Sequence, residues 1–268
     1  MPHFAVSEIT TFRWPFEQDL REYREAGVTA IGVWRQKISD FDEATGIELI
    51  ADSGLAVSSL AWAGGFTGSD GRSYADSVQD GREAIRLASG LHAGCLIIHP
   101  GARAGHTHKH ARRLFQQALE KLLPLAEELS VALVVEPMCT PCGTEWTFLN
   151  DPLEAKQLIE TFDSPWLRLL LDLYHLAPHP QISELLTDLA PLTSLVQLGD
   201  CRGVAKGEHN RCRLGEGTVP VAEMVQVLKQ AGYAGDFELE LLGEDVEAKC
   251  YRQLLRESKD RWRDWVKA

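Results

Sequence analysis

Short apolar runs alternate with longer amphipathic segments along this chain, and this alternation limits its possible folds more than any other feature. The runs that predict strands cover residues 4–11, 30–34, 56–62, 95–99, 131–136, 168–172, 195–198 and 237–241. Strands that alternate with helices form parallel sheets through right-handed crossovers. Eight units favour a closed barrel, and the segment after the first run, SEITTFRWP, lacks the glycine-rich phosphate loop typical of open sheets. We therefore predict an α/β protein, a single (β/α)8 TIM barrel domain covering residues 1–268.

Composition limits the compartment and the partners of the chain. Its 268 residues, 44% of them hydrophobic, suffice for one large core. No stretch approaches the ~20 apolar residues of a membrane span, and the start, MPHFAVSEITTF, does not look like a signal peptide. We therefore expect a cytoplasmic protein without membrane contact. The net charge of −12 argues against nucleic acid as a partner, and the six cysteines are too sparse for a disulfide framework. Aromatic residues on the last helix leave a homo-oligomer open.

Four consecutive predicted strands, the fifth to the eighth, end in a side chain that can hold an ion. These side chains are Glu136, Asp172, Gln197 and Glu240. Each alone could be a polar group in a solvated loop, but strand ends of a barrel meet at one mouth, and buried carboxylates are normally paired or bound to metal. All four are oxygen donors, which predicts one divalent ion, with Mn²⁺ or Mg²⁺ favoured and Zn²⁺ or Co²⁺ as alternatives.

The last predicted strand leaves two registers open. Glu238 and Glu240 point to the same face, so if Glu240 lies at the mouth, Glu238 lies one layer deeper and needs a partner. Arg168, at the base of the sixth strand, is a candidate for that partner. The competing register makes Glu238 the ligand. We favour Glu240.

Several motifs resemble those of the sugar phosphate isomerase/epimerase family, which belongs to the xylose isomerase-like barrels. They are EPM at 136, DLYH at 172, VQLGD at 196, LGEGTVP at 214 and GYAGDFELE at 232. The resemblance covers most of the chain and is densest from residue 131 onward. It implies one divalent ion on Glu136, Asp172, Gln197 and Glu240, with the two glutamates as acid and base, and it implies that His175 contacts substrate hydroxyls. Gln197 stands where many members have histidine, which weakens the case for zinc.

Other side chains are predicted to line a substrate pocket. Arg202 and Arg211, in the loop after the seventh strand, lie where relatives use a basic residue to steady substrate oxygen, and their spacing does not choose between them. His99 ends the fourth strand and points to the barrel interior, either as a substrate contact or as a satisfied strand-end histidine. Trp62 ends the third strand, where it could form the base of a sugar pocket or pack in the core.

The pair Cys139 and Cys142 resembles half of a zinc or redox site. The next cysteines, Cys201 and Cys212, do not have the spacing of a second half, so a thiolate metal site is disfavoured.

These observations predict a metal-dependent isomerase or epimerase of a small keto-sugar, polyol or related carbonyl compound. In this hypothesis Glu136 or Glu240 abstracts a proton beside a carbonyl, an enediolate forms, and the proton is returned to the neighbouring carbon or the opposite face. A dehydratase of the inosose or dehydroshikimate type shares the early steps. A barrel that binds sugar without catalysis is the alternative from a different class.

Overall fold

The protein is described by a computed structural model that covers residues 3–40 and 42–267. Its central strands are β1 (Phe4–Ser7), β2 (Ala30–Trp34), β3 (Ala56–Gly64), β4 (Leu96–His99), β5 (Leu133–Val135), β6 (Leu167–Asp172), β7 (Thr193–Leu198) and β10 (Asp236–Leu239). They are all parallel and close into a barrel in the order β1-β10-β7-β6-β5-β4-β3-β2. The predicted (β/α)8 barrel is confirmed.

Helices connect the strands on the outside of the barrel. The long ones are α1 (Phe16–Glu25), α3 (Glu43–Ser53), α4 (Tyr74–Gly90), α5 (His108–Glu128), α7 (Pro152–Phe162), α9 (Ile182–Leu189), α10 (Val221–Gln230) and α12 (Tyr251–Lys267). The short ones are α2 (Arg35–Ile38), α6 (Thr140–Gly143), α8 (Leu173–Leu176), α11 (Glu244–Glu247) and a 3₁₀ turn at Ala190–Leu192. Among the described residues, no helix has the length and apolar character needed to cross a lipid bilayer.

Strand β6 shows why the sequences of the strands are nearly continuous apolar runs. Leu169 and Leu171 belong to the large core between the strands and the helices. Leu170 points the other way and packs with Ile97 and Val134 in a second core inside the barrel. Because both faces of each strand are covered, alternation of polar and apolar residues is lost until the strand ends.

The first and fifth strands are shorter than the sequence predicts. β1 ends at Ser7 because the chain turns there: the Thr10 backbone N–H donates to the Ser7 carbonyl at 2.9 Å, and the Thr10 hydroxyl donates to the Leu239 carbonyl at 3.1 Å. β5 covers three residues, so Glu136 follows the strand directly.

The loop after β7 contains a small antiparallel sheet of β8 (Asp200–Cys201) and β9 (Arg211–Cys212), which the sequence did not predict. The buried Asp200 carboxylate organises this loop by accepting backbone N–H groups at 2.8 to 3.1 Å. The donors are Cys201, Gly215, Gly217 and Val219. The sheet fixes the position of Arg211, which lies in β9.

The last helix covers the outside of the barrel at β1. Trp262 of α12 packs against Phe4 with ring centroids 5.4 Å apart, and Trp265 packs against the same core. These aromatic residues therefore have partners within their own chain, and a homo-oligomer stays a prediction.

Candidate active site

The parity of four neighbouring strands brings the predicted ligands to one mouth of the barrel. In each strand an inner side chain is followed two residues later by a polar one, and residues two apart point to the same face. The pairs are Val134 and Glu136, Leu170 and Asp172, Leu195 and Gln197, and Glu238 and Glu240. Three of the inner positions lie in the barrel core, so the polar residues that follow them lie directly above that core, at the mouth.

A cavity of about 500 Å³ opens at this mouth. Its wall includes the predicted residues Trp62, His99, Glu136, Gln197 and Glu240. Asp172 and His175 lie buried beside it, and one ligand atom each of Glu136, Asp172 and His175 lie within 4.8 Å of one another. The structure therefore brings together every predicted metal ligand and His175.

Arg211 is the basic residue that enters this cluster. Its side chain is fully buried, with Nη1 2.6 Å from Asp172 Oδ2 and Nη2 2.7 Å from Glu208 Oε2. The guanidinium carbon also lies 4.2 Å from the centroid of the Tyr174 ring. A Cβ atom on Gly199 would lie 2.6 Å from Arg211 Nη1, so a glycine at this position makes room for the guanidinium.

Arg202, the other candidate from the same loop, points to the surface. Its side chain is 57% exposed and pairs with Glu216 at 3.1 Å and with Asp245. Arg202 therefore pairs with surface carboxylates, Arg211 lies in the buried cluster, and neither is among the residues that line the cavity, so a substrate contact of either stays a prediction.

Glu238 and Glu240 occupy two successive layers. Glu240 lines the cavity, and Glu238 lies below it, where it accepts hydrogen bonds from Ser58 at 2.6 Å and Ser59 at 2.8 Å. Gln197 bridges the layers, since its Nε2 donates to Glu240 Oε2 at 2.6 Å and to Glu238 Oε1 at 3.1 Å.

The deeper carboxylate does not pair with the predicted arginine. Arg168 donates instead to the Pro191 carbonyl at 2.6 Å, near the base of the barrel. Serine hydroxyls and an amide replace it as partners of Glu238, and Gly32 leaves the space that the carboxylate needs, because a Cβ there would lie 2.4 Å from Glu238 Oε2. The prediction for Arg168 was wrong because neutral donors from β3 and β7 satisfy this carboxylate.

The site holds more carboxyl groups than cationic groups. Four carboxylates, those of Glu136, Asp172, Glu208 and Glu240, surround the one guanidinium of Arg211. Burial, followed by repulsion from Asp172 and the other carboxylates, raises the pKa of Glu136 well above its usual range. Burial also raises the pKa of Glu240 to about 8, although Arg211 opposes this shift.

The buried polar atoms of the site fit a hard divalent cation. Gln197 uses its amide nitrogen for both of its hydrogen bonds, and its Oε1 atom, which is buried, accepts none from the residues that the structure describes. Such an oxygen, together with carboxylates in excess of cationic groups, is the donor set that Mg²⁺ and Mn²⁺ prefer. The residues present therefore suit the ion that the strand ends predict.

The opposite wall of the cavity is aromatic. Trp62 packs edge-on against Trp146, with ring centroids 5.0 Å apart, and lies 5.8 Å from the ring of His99. Burial lowers the pKa of His99 to about 4, so this imidazole is neutral near pH 7. The predicted residues Trp62 and His99 thus share a wall with Trp146.

Glu208 and Trp146 are among the cavity residues that sequence reasoning missed. Glu208 lies three residues before Arg211, and this acidic–basic spacing in a glycine-rich loop was the available signal. Trp146 comes from the long loop after β5, where nothing in the local sequence indicates which way the side chain points.

Comparison with known proteins agrees with this architecture. The sequence matches the profile of the xylose isomerase-like TIM barrel family over residues 20–264. The chain belongs to this family. The expected resemblance to sugar isomerases and epimerases is confirmed at the level of the family.

One curated relative and two solved structures illustrate the similarity. L-ribulose-5-phosphate 3-epimerase UlaE from Escherichia coli O1:K1 / APEC is 24% identical over 161 residues, which are 60% of this chain and 52% of the relative. The chain therefore matches about half the length of this relative. Protein SMc04130 from Sinorhizobium meliloti 1021 superposes with a TM-score of 0.87 at 20% identity, covering 98% of each chain. The IOLI protein, solved with a zinc atom, gives a TM-score of 0.85 at 16% identity and also covers 98% of each chain.

Proposed function

We propose that this protein is a divalent-metal-dependent sugar isomerase or epimerase that moves a proton beside the carbonyl of a small ketose. The observation that carries the proposal is the position of Glu136 and Glu240 on the wall of one cavity, next to the amide oxygen of Gln197, which accepts no hydrogen bond from the described residues. Membership of the family and the epimerase among the curated relatives support it.

The ion would be held by Glu136, Asp172, Gln197 and Glu240, whose donor atoms are all oxygen. When bound, it supplies the polarisation of a substrate carbonyl that makes the neighbouring C–H acidic. The zinc atom of the IOLI protein is a property of that protein, whereas the donor set of this chain favours Mn²⁺ or Mg²⁺.

The residues of the chain would carry the proton. One of the two glutamates, Glu136 or Glu240, removes it from the carbon beside the carbonyl, and the resulting enediolate takes a proton back from the other carboxyl group, or from the same one. Return to the neighbouring carbon gives isomerisation, and return to the opposite face gives epimerisation. Gln197 fixes Glu240 through its 2.6 Å hydrogen bond, and Arg211 fixes Asp172 through its 2.6 Å ion pair.

We further propose that the substrate carries no phosphate group. Five glutamates and, among the described residues, no lysine or arginine line the cavity. Arg35 and Arg72, in the adjoining recess, are both paired with Asp80. At an effective dielectric constant of ~20, a glutamate of the wall that does not hold the ion would repel one phosphate charge ~8 Å away by about 2 kcal/mol, which lowers affinity by about thirtyfold. His175, His99 and Trp62 would instead contact hydroxyls and C–H faces of a neutral sugar.

Solvent exchange tests the proposal directly. The purified protein with Mn²⁺ is incubated in D₂O with a panel of ketopentoses and ketohexoses and with their terminal phosphates, and deuterium incorporation is followed by NMR. We expect exchange at a carbon beside the carbonyl, loss of exchange on chelation with EDTA, and at least tenfold slower exchange in the phosphates.

The outcomes separate the alternatives. Product that absorbs in the ultraviolet as an enone would mean that the enediolate expels a β-hydroxyl, as in a dehydratase. Exchange that is faster with phosphates would overturn the substrate class and leave the isomerase standing. A folded protein that catalyses no exchange with any of these sugars would contradict the proposed function and favour a binding barrel.

A further inference from the structure

Two cysteines and a histidine meet beside the cavity, next to the carboxylate cluster. Cys139 precedes the short helix α6, Cys142 lies in it, and His175 lies in α8. Cys139 Sγ is 3.3 Å from Cys142 Sγ and 3.5 Å from His175 Nδ1. The three ligand atoms all lie within 4.8 Å of one another. His175 comes from a different strand–helix unit than the two cysteines, so only the fold brings the imidazole to the cysteine pair.

These separations are close to the edges of a tetrahedral metal site. With Zn–S bonds of ~2.3 Å and a Zn–N bond of ~2.0 Å, two sulfur ligands lie ~3.8 Å apart and a sulfur lies ~3.5 Å from a nitrogen. The Cys139–His175 separation matches that value, and the thiol pair needs to open by about 0.5 Å. Cysteines at C-x-x-C spacing on a turn are common zinc ligands, and two of them with one histidine leave a fourth position for water.

The surroundings of His175 prepare its Nδ1 atom for coordination. The other ring nitrogen, Nε2, lies 3.4 Å from Glu208 Oε1 and 3.5 Å from Glu136 Oε1. When Nδ1 binds a metal ion, the proton of the ring lies on Nε2, which is the side that faces these two carboxylates. A carboxylate behind a coordinating histidine is the usual arrangement in protein metal sites, because it fixes the ring and its tautomer.

We propose that Cys139, Cys142 and His175 bind one Zn²⁺ ion at a site distinct from the oxygen-donor site of the strand ends. Thiolate and imidazole ligands select a soft ion, whereas the carboxylates and amide of Glu136, Asp172, Gln197 and Glu240 select a hard one. Because Cys142 and the neighbouring Pro141 belong to the cavity wall, a bound zinc ion would fix the segment after β5 against α8.

Cobalt substitution tests this site in the intact chain. The reduced protein is freed of metal with a chelator and titrated with Co²⁺, whose thiolate complexes give intense ligand-to-metal charge-transfer absorption in the near ultraviolet. We expect the wild type to develop this absorption with one Co²⁺ per chain and to lose it on addition of Zn²⁺. Cys142→Ser should abolish it, and Cys250→Ser, which changes an exposed cysteine, should retain it.

A measurement on the wild type alone guards against misfolded variants. One equivalent of Zn²⁺ should slow the alkylation of Cys139 and Cys142 by iodoacetamide at least tenfold, as mapped by mass spectrometry, and leave Cys250 unprotected. The proposal fails if Co²⁺ gives no thiolate absorption, if zinc protects neither thiol, or if the two thiols form a disulfide in air and the reduced pair binds no metal.

The thiolate site shares His175 with the proposed substrate pocket, but the two sites can be tested separately because their other ligands differ. Glu240→Gln should eliminate proton exchange in ketoses and retain the cobalt–thiolate absorption, because Glu240 supplies no ligand to this site. Cobalt–thiolate absorption therefore reports on the thiolate site, and proton exchange reports on the isomerase. Failure of one proposal leaves the readout of the other unchanged.

Discussion

The two halves of the barrel mouth are built from the same kind of strand but end in different chemistry. The strands β5, β6, β7 and β10 end in or beside Glu136, Asp172, Gln197 and Glu240, which with Arg211 form a largely buried charged cluster. The strands β2, β3 and β4 end in or beside Trp34, Trp62 and His99. Trp62 and His99 pack with Trp146 as an aromatic wall, and Trp34 lines the same cavity. One half offers acid–base groups and ion ligands, and the other offers apolar surface.

The difference shows where this fold holds groups that are unfavourable for stability. Burial of a carboxylate costs free energy unless it is paired or bound to a cation, and here the carboxylates outnumber their one guanidinium partner. An aromatic wall has no such cost, because packed rings stabilise the fold. We therefore expect the charged half to determine whether chemistry occurs and the aromatic half to determine which sugar is accepted.

The largest effect is expected from the charged half. Glu240→Gln keeps the shape of the side chain but removes its proton-accepting group, so proton exchange into a ketose substrate should fall by about 10²- to 10⁴-fold. The measurement is deuterium incorporation by NMR at saturating Mn²⁺. Glu216→Gln, on the surface of the same mouth, is the matched control and should keep the wild-type rate. A Glu240→Gln variant that exchanges normally would exclude this residue as the base.

Arg202 and Arg211 lie in one loop but differ in burial, so they test whether buried ion pairs stabilise the fold more than exposed ones. Arg211→Ala leaves Asp172 and Glu208 buried beside each other without their cation, which should cost about 3 to 5 kcal/mol of the free energy of unfolding. Arg202→Ala removes two exposed ion pairs and should cost about 1 kcal/mol or less. Urea unfolding of both variants checks the difference. Equal losses would mean that the buried cluster is compensated in some other way.

The aromatic half should affect substrate binding more than the chemical step. Trp62→Ala removes a ring that faces the cavity, and aromatic contacts are worth about 0.5 to 1.5 kcal/mol, so KM should rise about two- to tenfold. The kcat value should change little, because Trp62 carries no proton. A Trp62→Phe variant should recover most of the affinity. If kcat fell and KM stayed constant, the division between the two halves would be wrong.

The sequence alone predicts the charged half better than the aromatic half. Glu136 and Asp172 are recognisable because a buried apolar run ends in a carboxylate, and the period of a strand then determines the face on which each lies. The same parity orders Glu238 and Glu240 correctly, one above the other.

Contacts that depend on loops are not predictable in this way. The β8–β9 sheet determines that Arg211 is buried and Arg202 is exposed. This sheet forms because the buried Asp200 carboxylate accepts hydrogen bonds from backbone N–H groups of a distant segment. Arg168 was wrongly predicted as the partner of Glu238 for the same reason. Side chains from β3 and β7 donate to the Glu238 carboxylate, and only the three-dimensional arrangement of the strands shows that they lie next to it.

The smallest effect is expected from a carboxylate outside the mouth, whose pKa shifts in the opposite direction from that of Glu240. Hydrogen bonding from Arg252 lowers the pKa of Glu22, although burial opposes the shift. A pKa that is lower in the folded state contributes stability above the unfolded value, and this contribution disappears as the pH falls through the folded value. The Tm of the wild type should therefore fall more between pH 6 and pH 3, as measured by circular dichroism, than the Tm of Glu22→Gln. Identical pH profiles of Tm for the two proteins would show that the ion pair of Glu22 with Arg252 adds nothing to stability.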